Sequence, residues 1–282
     1  MFKTKIIARD NKTGNEVLNT ENTNVLGGRI DLLDRLFGKD VDPSKHIYLD
    51  EILKSMYPGI TFSDSAIETH DGTTASHDVR KVKYFAIGNE GVSAAATLDV
   101  HDPLNHETSL YGWIPFRTVV TASAEEAAVE SSGNYAMKCT ILNDGISYSM
   151  YFLKKINVNS VSTTTGVVKS SGSSNDVDYV PEIADSVVGN SPDYVVNCKV
   201  DLEILIEEED VTEYFDMIAS GSTSVDRNIS EFGLVVAKEH THGASSITSD
   251  VRDAELFSKA CHDRIPMGQA TNTYTIDYTV YS

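Results

Sequence analysis

The clearest periodicity in the chain lies in residues 274–281, YTIDYTVY. Tyr274, Ile276, Tyr278 and Val280 share one face there, and Thr275, Asp277, Thr279 and Tyr281 the other. A period of two marks a half-buried strand, so this segment is expected to be tied into a sheet. Residues 1–20 predict a hairpin: Phe2, Thr4, Ile6 and Ala8 alternate before the turn DNKTGN, and Val17 and Leu18 begin the return. Further short strands are predicted at 80–88, 114–121, 135–142 and 147–155, rich in β-branched and aromatic residues, with Asn143, Asp144 and Gly145 closing a hairpin between the last two. The longest predicted strand, VVNCKVDLEILIEE, turns Val196, Cys198, Val200, Leu202, Ile204 and Ile206 to one side.

Helical spacing is rarer. Ile30, Leu33, Leu36 and Phe37 predict a short helix ending at Gly38, a second covers 48–56 before Pro58, and a third 211–220. ELFSKACHD (255–263) fits either a helical turn or a bulged strand. Residues 157–190, rich in Ser, Thr, Gly and Asp, read as a long exposed loop or as an arm that orders on a neighbour. These elements predict a mainly β protein: a β-sandwich or jelly-roll-like core with short helical insertions and long loops. The expected division is a hairpin and short helices over 1–79, packed on or inserted against a sandwich core over 80–282. No internal repeat of solenoid or propeller length is visible.

Charge changes the picture of partners. With 23 basic and 42 acidic residues the formal charge is −19, which argues against nucleic acid or an anionic membrane as the principal partner. No apolar run approaches a membrane span, and MFKTKIIARD lacks a signal peptide's apolar core, so synthesis and folding in a cytosol are expected. Cys139, Cys198 and Cys261 show no CxxC spacing and are expected to be free thiols.

Candidate chemistry is sparse. Glu239, His240 and His242 in KEHTHG are weak metal-ligand candidates, since alternate strand positions share a face; exposed loop histidines are the simpler reading. His101, Asp102, His106 and Glu107 in HDPLNHE form a loose acid/base set, set against a turn at Asp102–Pro103. Glu207–Asp210 reads as a solvated strand end rather than a Ca²⁺ loop, and Gly27–Gly28 as a tight turn rather than an anion cradle. No GxSxG, HExxH or GK[ST] motif occurs, and no cofactor, resident metal or catalytic residue is expected.

Several segments together carry a resemblance. AIGNEGVSAAATLDVHDPLNHE (86–107) is followed by IPFRTVV, then by EFGLVVAK with Glu231, Gly233 and Leu234, then by Leu256, Phe257, Arg264, Ile265 and Pro266, and finally by Ile276, Asp277, Tyr278 and Val280. Their order and spacing resemble structural proteins of tailed-bacteriophage virions. The resemblance implies a β-rich neck, collar, baseplate or fibre-attachment part that acts by assembling, made in the host cytoplasm and carried in the virion. It implies as partners other copies of the chain and other virion structural proteins. An alternative is a receptor- or carbohydrate-binding module of a fibre or capsid, with Tyr111 and Trp113 as the sugar-stacking candidates. A phage hydrolase is a third reading that no paired-carboxylate motif favours.

Overall fold

The computed structural model describes residues 3–21, 23–24, 26–30, 46–62, 81–93, 99–156, 162–169, 194–207, 210–219, 227–240, 250–267 and 273–281. The protein is mostly β, built from two antiparallel sheets with a few short helices in a sandwich-like arrangement.

The smaller sheet has five strands. β1 (Lys3–Asp10) and β2 (Glu16–Glu21) form the N-terminal hairpin, β10 (Ser162–Lys169) and β11 (Tyr194–Ile206) a second pair, and β14 (Tyr274–Tyr281) lies between them in the order β10-β11-β14-β1-β2. β14 is paired along its whole length on both sides, with Ile276 opposite Ala8 on one flank and Ile204 on the other. Tyr274, Ile276, Ile204, Ile206, Ile6 and Ala8 are all buried, as the alternation predicts. The side chains of Tyr278 and Val280 lie outside the described ones.

The larger sheet runs β3-β13-β12-β5-β9-β8-β4. Its strands are β3 (Thr23–Asn24), β4 (Thr61–Phe62), β5 (Lys81–Gly88), β8 (Tyr135–Asn143), β9 (Ile146–Lys155), β12 (Asn228–His240) and β13 (Asp250–Pro266), with β6 (Trp113–Ile114) on β5 and β7 (Arg117–Val120) on β9. Residues 228–237 of β12 are buried on both faces, which explains why EFGLVV reads as a nearly continuous apolar run. Phe85, Phe116 and Phe232 meet at ring separations of 6.0 and 5.3 Å in a single core shared by residues of both sheets. The β8–β9 turn places Asp144 and Gly145 at φ 48° and 79°, the left-handed pair of a tight hairpin.

The helices are α1 (Leu49–Met56), α2 (Ala124–Ser132) and α3 (Thr212–Ala219). α2 begins where the Ser123 hydroxyl accepts from the Glu126 N–H, 3.0 Å away, and ends at Gly133 in the left-handed region.

Several expectations need correction. Residues 162–169 form a strand rather than loop: STTTGVVK pairs with β11 over eight positions, and its Thr and Val content outweighs the flanking Ser and Gly. The remainder of 157–190 lies outside the described residues. Within 1–79, β1 pairs with β14 of the smaller sheet and β4 with β8 at the edge of the larger one. The 114–121 strand is two strands, broken at Pro115, which lacks an N–H for the ladder; Phe116 resumes it by donating to the Tyr151 carbonyl at 2.8 Å. ELFSKACHD is strand, and the β12–β13 register shifts between Leu234 and Val235. Of the predicted 29–38 helix, 31–38 lies outside the described residues.

Candidate functional site

A buried cluster of charges sits inside the larger sheet, where β5, β12 and β13 run side by side. Glu231 on β12 lies opposite Gly88 on β5 and Cys261 on β13, and its side chain is fully buried. A carboxylate there needs donors. Its Oε1 accepts from the Tyr111 N–H at 2.7 Å, and its Oε2 from the Gly112 and Glu90 N–H groups at 2.9 and 3.3 Å. The backbone can come so close because Gly88 has no side chain: a Cβ there would stand 2.5 Å from Glu231 Oε2 and 2.6 Å from the Gly112 carbonyl. Burial pushes the Glu231 carboxyl above its ordinary pKa, against the three N–H bonds and Lys259, which pull it down.

Lys259 on β13 reaches the same point and is itself fully buried. Its Nζ donates to the Ser109 carbonyl at 3.1 Å, lies 3.1 Å from Glu107 Oε2 and 3.6 Å from Glu231 Oε1, and rests over the Tyr111 ring, 3.1 Å from its centroid. The Tyr111 hydroxyl donates to Glu107 Oε1, and Trp113 Nε1 donates to the Ser109 hydroxyl at 2.8 Å. Burial raises the Glu107 pKa, but the bonds from Tyr111 and Lys259 prevail and hold it below its ordinary value. One lysine thus faces two carboxylates in a nearly dry pocket.

A second charged set ties β8 and β9 to the start of α3. Lys154 Nζ lies 2.6 Å from Asp210 Oδ2 and 3.5 Å from Glu207, while the Tyr135 hydroxyl donates to Asp210 Oδ1 at 2.8 Å. Asp210 is fully buried, and burial pushes its pKa up even beside Lys154. An open groove of about 790 Å³ adjoins this set, with Arg117, Glu125, Val129, Tyr135 and Thr212 among its walls. Arg117 there donates to Glu125 at 2.6 Å.

The residues singled out from sequence fare unevenly. In HDPLNHE, Glu107 turns inward to Lys259 and the His101 ring lies 4.8 Å from Tyr111, whereas Asp102 and His106 are exposed, so no acid/base cluster forms. Of the sugar-stacking candidates, Trp113 is 1% exposed and Tyr111 is engaged by Lys259 and Glu107. Asp210 corrects the solvated-end reading of 207–210, since only Glu207 of its described residues is exposed. Gly27 and Gly28 open a helical segment packed against the β13 backbone rather than a turn. Glu239 and His240 end β12, but their side chains, like all of His242, lie outside the described ones. Among the described residues no three His, Cys, Asp or Glu are placed to hold a metal ion. Burial pushes the Cys139 and Cys261 thiols up to about 12, so both are inert at neutral pH.

Sequence reasoning missed the Glu231–Lys259–Glu107 set. The signal was present: Glu231 and Lys259 are lone charges inside apolar strand runs, SEFGLVV and LFSKAC, where a solvated charge has no place.

A family model matches residues 66–275, about three-quarters of the chain. The chain belongs to the family of unknown function DUF7208. The match contains Glu107, Glu231 and Lys259, so the buried charge set falls within the DUF7208 region, while the β1–β2 hairpin precedes it. No curated protein and no solved structure matches the chain.

Proposed function

We propose that this protein is a structural subunit of a tailed-phage virion, at the neck, collar or baseplate, that acts through homo- and hetero-oligomeric assembly rather than catalysis. One observation carries the reading. The segments that resemble virion proteins are far apart in sequence yet adjacent in space: the AIG end of β5 pairs with the EFG start of β12, Gly88 against Glu231, and β12 pairs with the LFS stretch of β13. The resembling stretches on β5, β12 and β13 therefore form one packed unit, while Ile276 to Val280 lie on β14 of the smaller sheet.

The sheet edges supply the means. Among the described residues the smaller sheet ends on β10 and β2, each paired on one side only, and β2 is mostly exposed. Unpaired strand edges are surfaces on which another chain can add strands. Other copies of the chain and other virion structural proteins are the proposed partners, in a particle assembled in the host cytoplasm. The chemistry points the same way, because Lys154 with Asp210 and Lys259 with Glu107 are largely buried and bonded to one another, as structural ties are.

Electron microscopy of the purified chain and of the particle tests this. Rings or larger oligomers, and density for this fold in the neck, collar or baseplate, are expected; a chain that stays monomeric at high concentration and is missing from the particle overturns the reading.

A further inference from the structure

We propose that Lys259 and Glu107 condense into an intramolecular amide, with Glu231 relaying a proton, so that the segment bearing Glu107 becomes covalently tied to β13. The two partners are 152 residues apart in sequence and their charged atoms 3.1 Å apart in space. Nothing about the bond depends on where the subunit sits in an assembly.

The arrangement has the parts such a reaction requires. The nucleophile is held: Lys259 is fully buried, and its Nζ is positioned by the Ser109 carbonyl and the Tyr111 ring. Fixing two reactants at contact distance replaces the concentration that amide formation lacks in water, an effect of up to ~10⁵–10⁸ M in well-oriented cases. A proton acceptor stands beside it, since Glu231 Oε1 is 3.6 Å from Nζ and burial raises the affinity of that carboxylate for a proton. The Tyr111 hydroxyl donates to Glu107 Oε1, where negative charge grows as the carbon becomes tetrahedral. The driving force is also local. A buried ammonium and carboxylate carry a desolvation cost that condensation removes by cancelling both charges.

The atoms balance without any other reactant. Lys259 Nζ bonds to Cδ of Glu107, and the Cδ–Oε2 bond breaks. Of the three ammonium protons one remains as the amide N–H, still facing the Ser109 carbonyl. The other two end on Oε2, one of them through Glu231, and the oxygen departs as water. Oε2 itself is buried, and the released water leaves past the rest of the Glu107 side chain, which is 15% exposed.

Intact-mass spectrometry of the denatured full chain reads the reaction. A mass one water below the sequence value is expected, with a branched proteolytic peptide joining Lys259 to Glu107. The full sequence mass in both fresh and aged protein overturns the bond, and a branch at Glu231 instead overturns the choice of Glu107. Glu231→Gln is expected to keep the full mass of its own sequence while retaining a β-type circular dichroism spectrum; water loss at the wild-type rate overturns the relay. Lys259→Arg, whose guanidinium is not acylated here, is expected to keep its full mass whether or not it folds, and water loss in that variant overturns Lys259 as the site.

Discussion

At the scale of single residues, His262 on β13 is the group that links acidity to stability. It is 2% exposed, its ring lies 4.2 Å from Phe232, and Nδ1 is 2.7 Å from the Asp263 carbonyl. A carbonyl only accepts, so Nδ1 carries the proton, and Nε2 finds no hydrogen-bond partner among the described residues. Burial lowers its pKa from 6.5 to about 4. The folded chain then keeps a neutral imidazole in a range where the unfolded chain protonates it. Stability from this group is complete above about pH 6.5 and is lost as pH falls toward 4, by an amount on the order of 3 kcal/mol. Denaturant titrations between pH 7 and pH 4 are expected to show that loss in wild type and a flatter profile in His262→Leu. Gly28 is decided by space rather than charge. A Cβ there would stand 2.1 Å from the Phe257 carbonyl oxygen, a backbone atom that cannot rotate away. Gly28→Ala is expected to lower stability by about 1–3 kcal/mol in the same titration.

Between elements, the Lys154–Asp210 pair joins β9 to the start of α3. Removing one member strands the other: among the described residues, Lys154→Met leaves a buried Asp210 carboxylate held by Tyr135 and the Glu207 N–H. A loss of about 3–5 kcal/mol is expected, and Lys154→Met with Asp210→Asn is expected to recover part of it, since the double change removes both charges. Thermal melts of the two variants check this. The elements also show what the sequence could and could not tell. β14, β1 and β11 were legible because one face is wet and one dry, which writes a period of two into the residues. The type and place of β8, β9, α1 and α3 were legible for similar reasons of periodicity and turn chemistry. β10 was not, because STTTGVVK has the composition of the polar segment around it and is a strand only through its pairing with β11. Asp210 was misread for the related reason that its partners, Lys154 and Tyr135, are 56 and 75 residues away, and no local pattern encodes that distance. The same holds for Lys259, whose sequence neighbours gave a strand or a helical turn equally well and whose bulged pairing to β12 decides between them.

For the molecule as a whole, the charge of −19 sets how it meets its own kind. Copies of such a chain repel one another at low ionic strength, while strand edges and half-buried faces attract only at contact. Salt separates the two terms, because the screening length shrinks from ~30 Å at 0.01 M to ~10 Å at 0.1 M and ~3 Å at 1 M. If the subunit assembles with itself through β2 and β10 edges, added salt is expected to shift it toward larger species. If instead its contacts were mainly to basic surfaces, the same salt would weaken them. Sedimentation velocity of the purified chain from 0.01 to 1 M NaCl reads the sign directly. Growth of the oligomer with salt is the expected outcome, and dissociation with salt would count against self-assembly through the sheet edges. A Pro substitution in the exposed edge strand, Asn19→Pro, is expected to reduce the salt-induced growth if β2 is the edge that pairs, provided the hairpin is intact by circular dichroism. Equal growth in that variant would move the contact to the β10 edge at the opposite side of the sheet.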